Sequence, residues 1–287
     1  MHRFRPFFYF SYTPVLHCVY MTFSRDAIIG LVVIIIIVLG SFWYVFFRPV
    51  SAPPPSETAT TTQPTGNATG PLHITESAEF YTIDTQYPSQ TALAGLPDSA
   101  DVNAVALMKQ WELDTIADYK TNWTDLGADF EQHLRDEHLK GSLTITYKTY
   151  QSAHTVSYVY TMFSDTLGAH PNTTYKTFTF DTTNGQNLSL AMLFNSGTDY
   201  LTWLSNYSRA QLPAMIAARE NVAVSDVDMD MLNAGTTADA TNFQDFYLDG
   251  TNLVILFPPY AVGPYVLGSS ELDIPASQIP GLKTQYP

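Results

Sequence analysis

The sequence predicts an α+β fold, an antiparallel sheet with helices packed against it, preceded by one transmembrane helix and a disordered stalk. Three observations predict it. Leu143, Ile145 and Tyr147 alternate with polar neighbours, as do Val156, Tyr158, Tyr160 and Met162, which is the period of half-buried strands. Two hairpin-type dipeptides, Asn184-Gly185 and Asp249-Gly250, join apolar runs. Stretches of near-3.6 spacing lie between the strand patterns, and the connections read as hairpins rather than crossovers.

Residues 1–27 form the expected cytoplasmic N-terminus, of which residues 1–20 are rich in aromatics and without a pattern. Residues 28–47, IIGLVVIIIIVLGSFWYVFF, carry no charge and match the roughly 20 residues that span a hydrocarbon core. Trp43 and Tyr44 stand near one end, where aromatic belt residues gather. Arg3, Arg5 and Arg25 precede the segment, so the N-terminus is expected in the cytoplasm and the bulk of the chain outside, although Arg48 weakens the asymmetry. The rival reading is a cleaved signal peptide: Val50-Ser51-Ala52 resembles a cleavage site, but Pro53 would block it. Met21 opens a compact start for such an anchor, MTFSRDAIIG, and translation is expected to begin there rather than at Met1.

Residues 48–71 follow as a Pro/Thr-rich linker with almost nothing to bury. The folded domain is expected over residues 72–287, as one unit or as two divided near 195. Within it, Asp101–Lys120 carries Val102, Val105, Met108, Ile116 and Tyr119 at helical spacing, with Asp98 and Ser99 as candidate caps. Leu126, Phe130 and Leu134 continue at i, i+4, i+8. Tyr175–Asp181 reads as a strand, and Leu188–Phe194 as its continuation beyond the Asn184-Gly185 turn. Leu201, Leu204, Leu212 and Met215 suggest a third helix that Pro213 should break or kink. The strand after Asp249-Gly250 must end at Pro258-Pro259, leaving a Pro/Gly-shaped aromatic loop through Tyr260, Pro264 and Tyr265.

Charge narrows the partners. From Val50 onward nine basic residues face twenty-six acidic ones, a formal −17. Such a domain repels phosphate backbones, which excludes nucleic acid, and suits a cationic partner. The one cysteine, Cys18, precedes the apolar segment, so the domain has no intrachain disulfide, thiol nucleophile or Cys-based zinc site.

The order Tyr87-Pro88, Asn103, Gly168-Ala169-His170-Pro171, Phe180-Asp181-Thr182-Thr183-Asn184-Gly185, Leu188-Ser189-Leu190, and Phe246 to Gly268 with Pro264-Tyr265 inside it resembles a known arrangement. It is similar to the extracytoplasmic domain shared by RsiV-type lysozyme-sensing anti-sigma factors and the non-catalytic region of PdaC-type peptidoglycan deacetylases, over about Ile74 to Ile279. The resemblance implies an α+β domain tethered outside the membrane, with a lysozyme-like protein or a cell-wall glycan as partner. It also singles out His170. An RsiV-type regulator further needs a cytoplasmic segment to hold a sigma factor, and a deacetylase needs a separate catalytic domain with metal ligands. At most twenty-seven residues precede Ile28, so the resemblance implies the sensing or binding module alone.

Motifs for chemistry are weak. His133 and His138 stand five apart, roughly 140° around a helix, and miss the metalloprotease spacing of four. Asp226, Asp228 and Asp230 alternate as in a calcium loop, but Met231 and Thr237 occupy the positions that need Gly and Glu. No catalytic residues, metal site or cofactor are therefore expected, and the domain reads as a binding module rather than an enzyme. The candidate contact residues are His170, Tyr260, Pro264 and Tyr265, since tyrosine offers large contact area at low entropy cost. The bland alternative is that the tyrosines fold inward and merely fix the loop. An envelope hydrolase and a membrane-complex assembly partner are the other two function classes left open.

Overall fold

The computed structural model describes residues 71–89 and 96–287. The expected membrane segment 28–47 and nearly all of the 48–71 linker lie outside these residues. Among the described residues no helix is long and apolar enough to cross a membrane.

The domain is α+β with a mixed sheet. Strands β1 (Leu72–Ser77), β2 (Tyr81–Tyr87), β3 (Gly141–Gln151), β4 (Thr155–Asp165) and β5 (Asn172–Asp181) form one sheet in that order. A second sheet holds β6 (Phe246–Asp249), β7 (Asn252–Phe257) and β8 (Ser270–Pro275). The all-antiparallel expectation fails at one place: β2 pairs with β3 in parallel, Ile83 opposite Leu143. A parallel pair needs a crossover, and α1 (Asp98–Thr121) and α2 (Ala128–Asp136) supply it. The strands β1, β2 and β8 carry no hairpin dipeptide and were not anticipated.

Strand alternation sorts the side chains into layers. On the first sheet, Leu143, Ile145, Val156, Tyr158, Tyr160, Phe178 and Phe180 face α1 in one core. Their neighbours on the opposite face, Val159, Tyr150 and Tyr175, meet Tyr247, Val254 and Leu256 of the second sheet. The far face of that sheet, including Leu253, Ile255 and Phe257, packs under α3 (Tyr200–Glu220) and α4 (Met229–Gly235) in the largest core. The order of layers is helix, sheet, sheet, helix.

The two sheets are joined by hydrogen bonds as well as by apolar burial. On one side β6 has no strand neighbour. Its Phe246 N–H donates to Thr177 Oγ1 at 3.2 Å and its Leu248 N–H to Ser157 Oγ at 3.3 Å, both hydroxyls belonging to the facing sheet. An edge that would otherwise bury unpaired amides is thereby satisfied.

Several local expectations are revised. The buried stripe of α1 runs through Ala104, Met108, Glu112, Ile116 and Tyr119, while Val102 is half exposed. Asp98 and Ser99 lie inside the helix, and the cap position is Pro97. Leu190–Leu193 is a turn of 3₁₀ helix instead of a strand, because the segment after the Asn184-Gly185 turn makes a single bridge, Phe180 with Asn187, and then leaves the sheet. Helix α3 continues through Pro213, which is buried in its core-facing side.

Candidate functional site

The loop from Pro258 to Ser269 leaves β7 where proline cannot extend a ladder, and several ties shape it. Tyr260 sits at φ +69°, a left-handed conformation that a bulky L-residue adopts only under constraint. The last residue of α4, Gly235, approaches the loop so closely that a Cβ there would stand 1.7 Å from the Ala261 carbonyl oxygen. Arg219 of α3 donates to the carbonyls of Leu267 and Ser269 at 2.9 and 2.7 Å. Tyr175 of β5 donates to Ser269 Oγ at 2.7 Å.

This loop meets the turn before β5. His170 Nδ1 lies 2.9 Å from the Pro171 carbonyl oxygen, and its Nε2 lies 2.9 Å from Tyr260 Oη. A carbonyl only accepts, so Nδ1 carries the proton, and in the neutral imidazole Nε2 then accepts from the Tyr260 hydroxyl. Tyr265 donates to the same Pro171 carbonyl at 2.8 Å and stacks on the imidazole with ring centres 3.9 Å apart. Tyr260 and Tyr265 are 5.6 Å apart, so the three rings form one cluster. The fold thus brings His170, Tyr260 and Tyr265 together. Tyr265 is half-buried beneath the cluster, whereas Tyr260 is 51% exposed. Pro264 is exposed but stands apart: it caps the turn Tyr265–Leu267 and lines a different, apolar recess with Val266.

Tyr260 also forms one wall of a cleft of about 420 Å³ whose other walls include Asn242, Gln244, Asp245 and Gly235. Asp245 is buried, and burial pushes its carboxyl up to about 6, against the opposing pull of Lys176 and of the Thr177 backbone amide. Gln244 is exposed and lines a second cleft of about 400 Å³, with Lys176, Asn187 and Tyr200. Asn242, Gln244 and Asp245 were missed as site residues. They flank the buried Phe243 just ahead of an apolar strand, and nothing local distinguishes them from an ordinary turn.

The other motifs are accounted for locally. His133 and His138 are exposed at the end of α2, with Arg135 between them paired to Glu79 and Glu131. Asp228 caps α4 by accepting from the Met231 amide at 3.0 Å. Among the described residues no group of three or more His, Cys, Asp or Glu is arranged to hold a metal ion.

A second unusual carboxyl lies far from the loop cluster. Glu112 is fully buried under the first sheet, where Thr85 donates to its Oε1 and its Oε2 has no partner. Burial pushes it up to about 7.

Residues 191–277 match the family model described as "Protein of unknown function (DUF3298)". The immunogenic protein MPT64 of Mycobacterium tuberculosis is 28% identical over 141 residues, covering 48% of this chain and 58% of that protein. The peptidoglycan-N-acetylmuramic acid deacetylase PdaC of Bacillus subtilis is 28% identical over 164 residues, covering 55% of this chain and 34% of that enzyme. The chain therefore spans less than two thirds of the length of either relative. A solved structure of a DUF3298-family member from Bacteroides fragilis aligns with a TM-score of 0.48 at 17% identity, covering 79% of this chain and 96% of that one.

Proposed function

We propose that this chain is a single-pass membrane protein that displays its α+β domain outside the cell as a binding module for a cell-wall glycan. The observation that carries the reading is the exposed Tyr260 ring, held by His170 on the rim of a cleft furnished with Asn242, Gln244 and Asp245. A sugar ring has an apolar face and a polar edge. An aromatic wall beside amide and carboxylate groups matches both, and the cleft volume lies in the range of small-molecule sites. The likeness to a protein named as a peptidoglycan deacetylase favours the same ligand class.

The test is binding of the full-length chain, purified in detergent, to insoluble peptidoglycan and to soluble N-acetylglucosamine oligomers. Retention of the chain, lost in Tyr260→Ala, is the expected result. Absence of binding to both probes overturns the reading. Lysozyme, the protein partner implied by the resemblance, belongs in the same experiment as a separate arm. A reporter fused at Pro287 tests the topology, with an external signal expected.

The cleft carboxyl also favours a second reading, an envelope hydrolase, because Asp245 lines the cleft and burial pushes its carboxyl up toward the range useful to a general acid. Turnover of a wall-derived oligomer that disappears in Asp245→Asn would establish it.

A further inference from the structure

Gln244 lines both clefts, so the two form adjoining parts of one surface around the start of β6. Their electrostatics differ. The Tyr260 cleft is lined by the buried carboxyl of Asp245. The other is lined by Lys176 and the exposed Asn187 amide. Among the described residues Lys120, Arg135 and Arg219 pair with a carboxylate within 3.2 Å, and the remaining lysines make no ion pair; of these, Lys176 is the one that lines either cleft. The Lys176 ammonium makes no direct ion pair: it sits 5.4 Å from the centre of the Phe178 ring, and its charge reaches Asp245 only through space. In a domain with nine basic and twenty-five acidic residues, a lysine lining a cleft without a direct ion pair is a local reversal of sign.

We propose that the paired clefts form a polarised groove for an acidic glycan, with a carboxylate-bearing sugar at Lys176 and an uncharged sugar against Tyr260. This rests on the glycan reading above and adds a direction to it. A ligand carboxylate beside Asp245 would meet a like charge in a partly desolvated site, whereas beside Lys176 it gains a charge-assisted hydrogen bond. Gln244, between the two, can donate and accept toward a linkage that crosses from one cleft to the other. The remaining surface is acidic, so non-specific attraction of an anionic chain is weak and the preference must come from short range.

Calorimetry on the detergent-purified full-length chain tests this with three probes: a neutral N-acetylglucosamine oligomer, an oligomer that also contains N-acetylmuramic acid, and the latter with its carboxyl converted to an amide. The acidic oligomer is expected to bind about tenfold more tightly than its amide, the scale of one hydrogen bond to a charged group. Lys176→Met is expected to erase that preference and Lys176→Arg to keep it. Equal affinity for acid and amide, or a preference that survives Lys176→Met, overturns the polarity while leaving the glycan reading in place. Failure of all three oligomers to bind removes both.

Discussion

The hydroxyl of Tyr260 donates to Nε2 of His170, ninety residues earlier in the chain, at 2.9 Å. Through this bond the turn before β5 holds the tip of the loop after β7. The tip carries a left-handed tyrosine, so the contact fixes a backbone that would otherwise relax.

Replacing Tyr260 therefore separates stability from recognition. Tyr260→Gly removes the ring and the hydrogen bond but also the left-handed penalty, and unfolding free energy is expected to stay within about 1 kcal/mol of wild type. Glycan binding is expected to fall at least tenfold. His170→Ala keeps the ring and loses its anchor, with a smaller loss of binding and a stability cost of about 0.5–1.5 kcal/mol. Chemical denaturation and calorimetry on the same samples check both.

Gly235→Ala should act on the same cleft from the opposite wall. Its Cβ would fall 1.7 Å from the Ala261 carbonyl oxygen, so the loop or the end of α4 must move. A loss of about 1–3 kcal/mol and weakened binding are expected. Gly127→Ala, with nothing within 4 Å of the added carbon, is the steric control: it should cost under about 1 kcal/mol, through its N-cap position on α2, and leave binding unchanged.

Glu112 predicts a pH profile. Its folded value of about 7 lies above the ordinary 4.5, so the folded chain binds more protons than the unfolded chain between those values. Stability must fall as pH rises through that window, by roughly 3 kcal/mol in all. Asp245, pushed up to about 6, adds a loss of the same sign that is largely complete near pH 6. The interval from pH 6 to 7 then belongs mainly to Glu112. In Glu112→Gln the decline over that interval should shrink to the small remainder from Asp245, and the variant should exceed wild type at pH 8 by about 1–3 kcal/mol. Denaturant titrations at pH 5, 6, 7 and 8 measure this.

Ser157→Ala should leave the Leu248 amide without its acceptor and remove the Ser157–Thr179 contact at 3.0 Å. A cost of about 1–3 kcal/mol is expected in thermal or chemical unfolding, with no change in glycan binding.

What could be read from residues alone follows the range of the forces involved. The β6–β7 hairpin was legible because Asp249-Gly250 is a local turn signal, and Gly250 takes the expected positive φ of 55°. The α1 helix was legible with most of its buried face, since Met108, Ile116 and Tyr119 are buried; Val102 was misassigned, and the burial of Glu112 was not legible because a carboxylate breaks the apolar pattern. The parallel β2–β3 pair was not legible, since its register is set by a crossover through two helices. The same holds for the site. Each aromatic could be suspected separately, but only the tertiary fold brings His170 to Tyr260, and only burial distinguishes Asp245 from the other acids of the surface.

The hydroxyls of Ser157 and Thr177 on the β6 amides have a mechanical consequence. Apolar packing between two sheet faces resists sliding through interdigitated side chains, and directional hydrogen bonds add a register of their own. Here any slip by one residue would strand the Phe246 and Leu248 amides away from their acceptors. The register between the two sheets is therefore set by two named hydroxyls as well as by apolar packing.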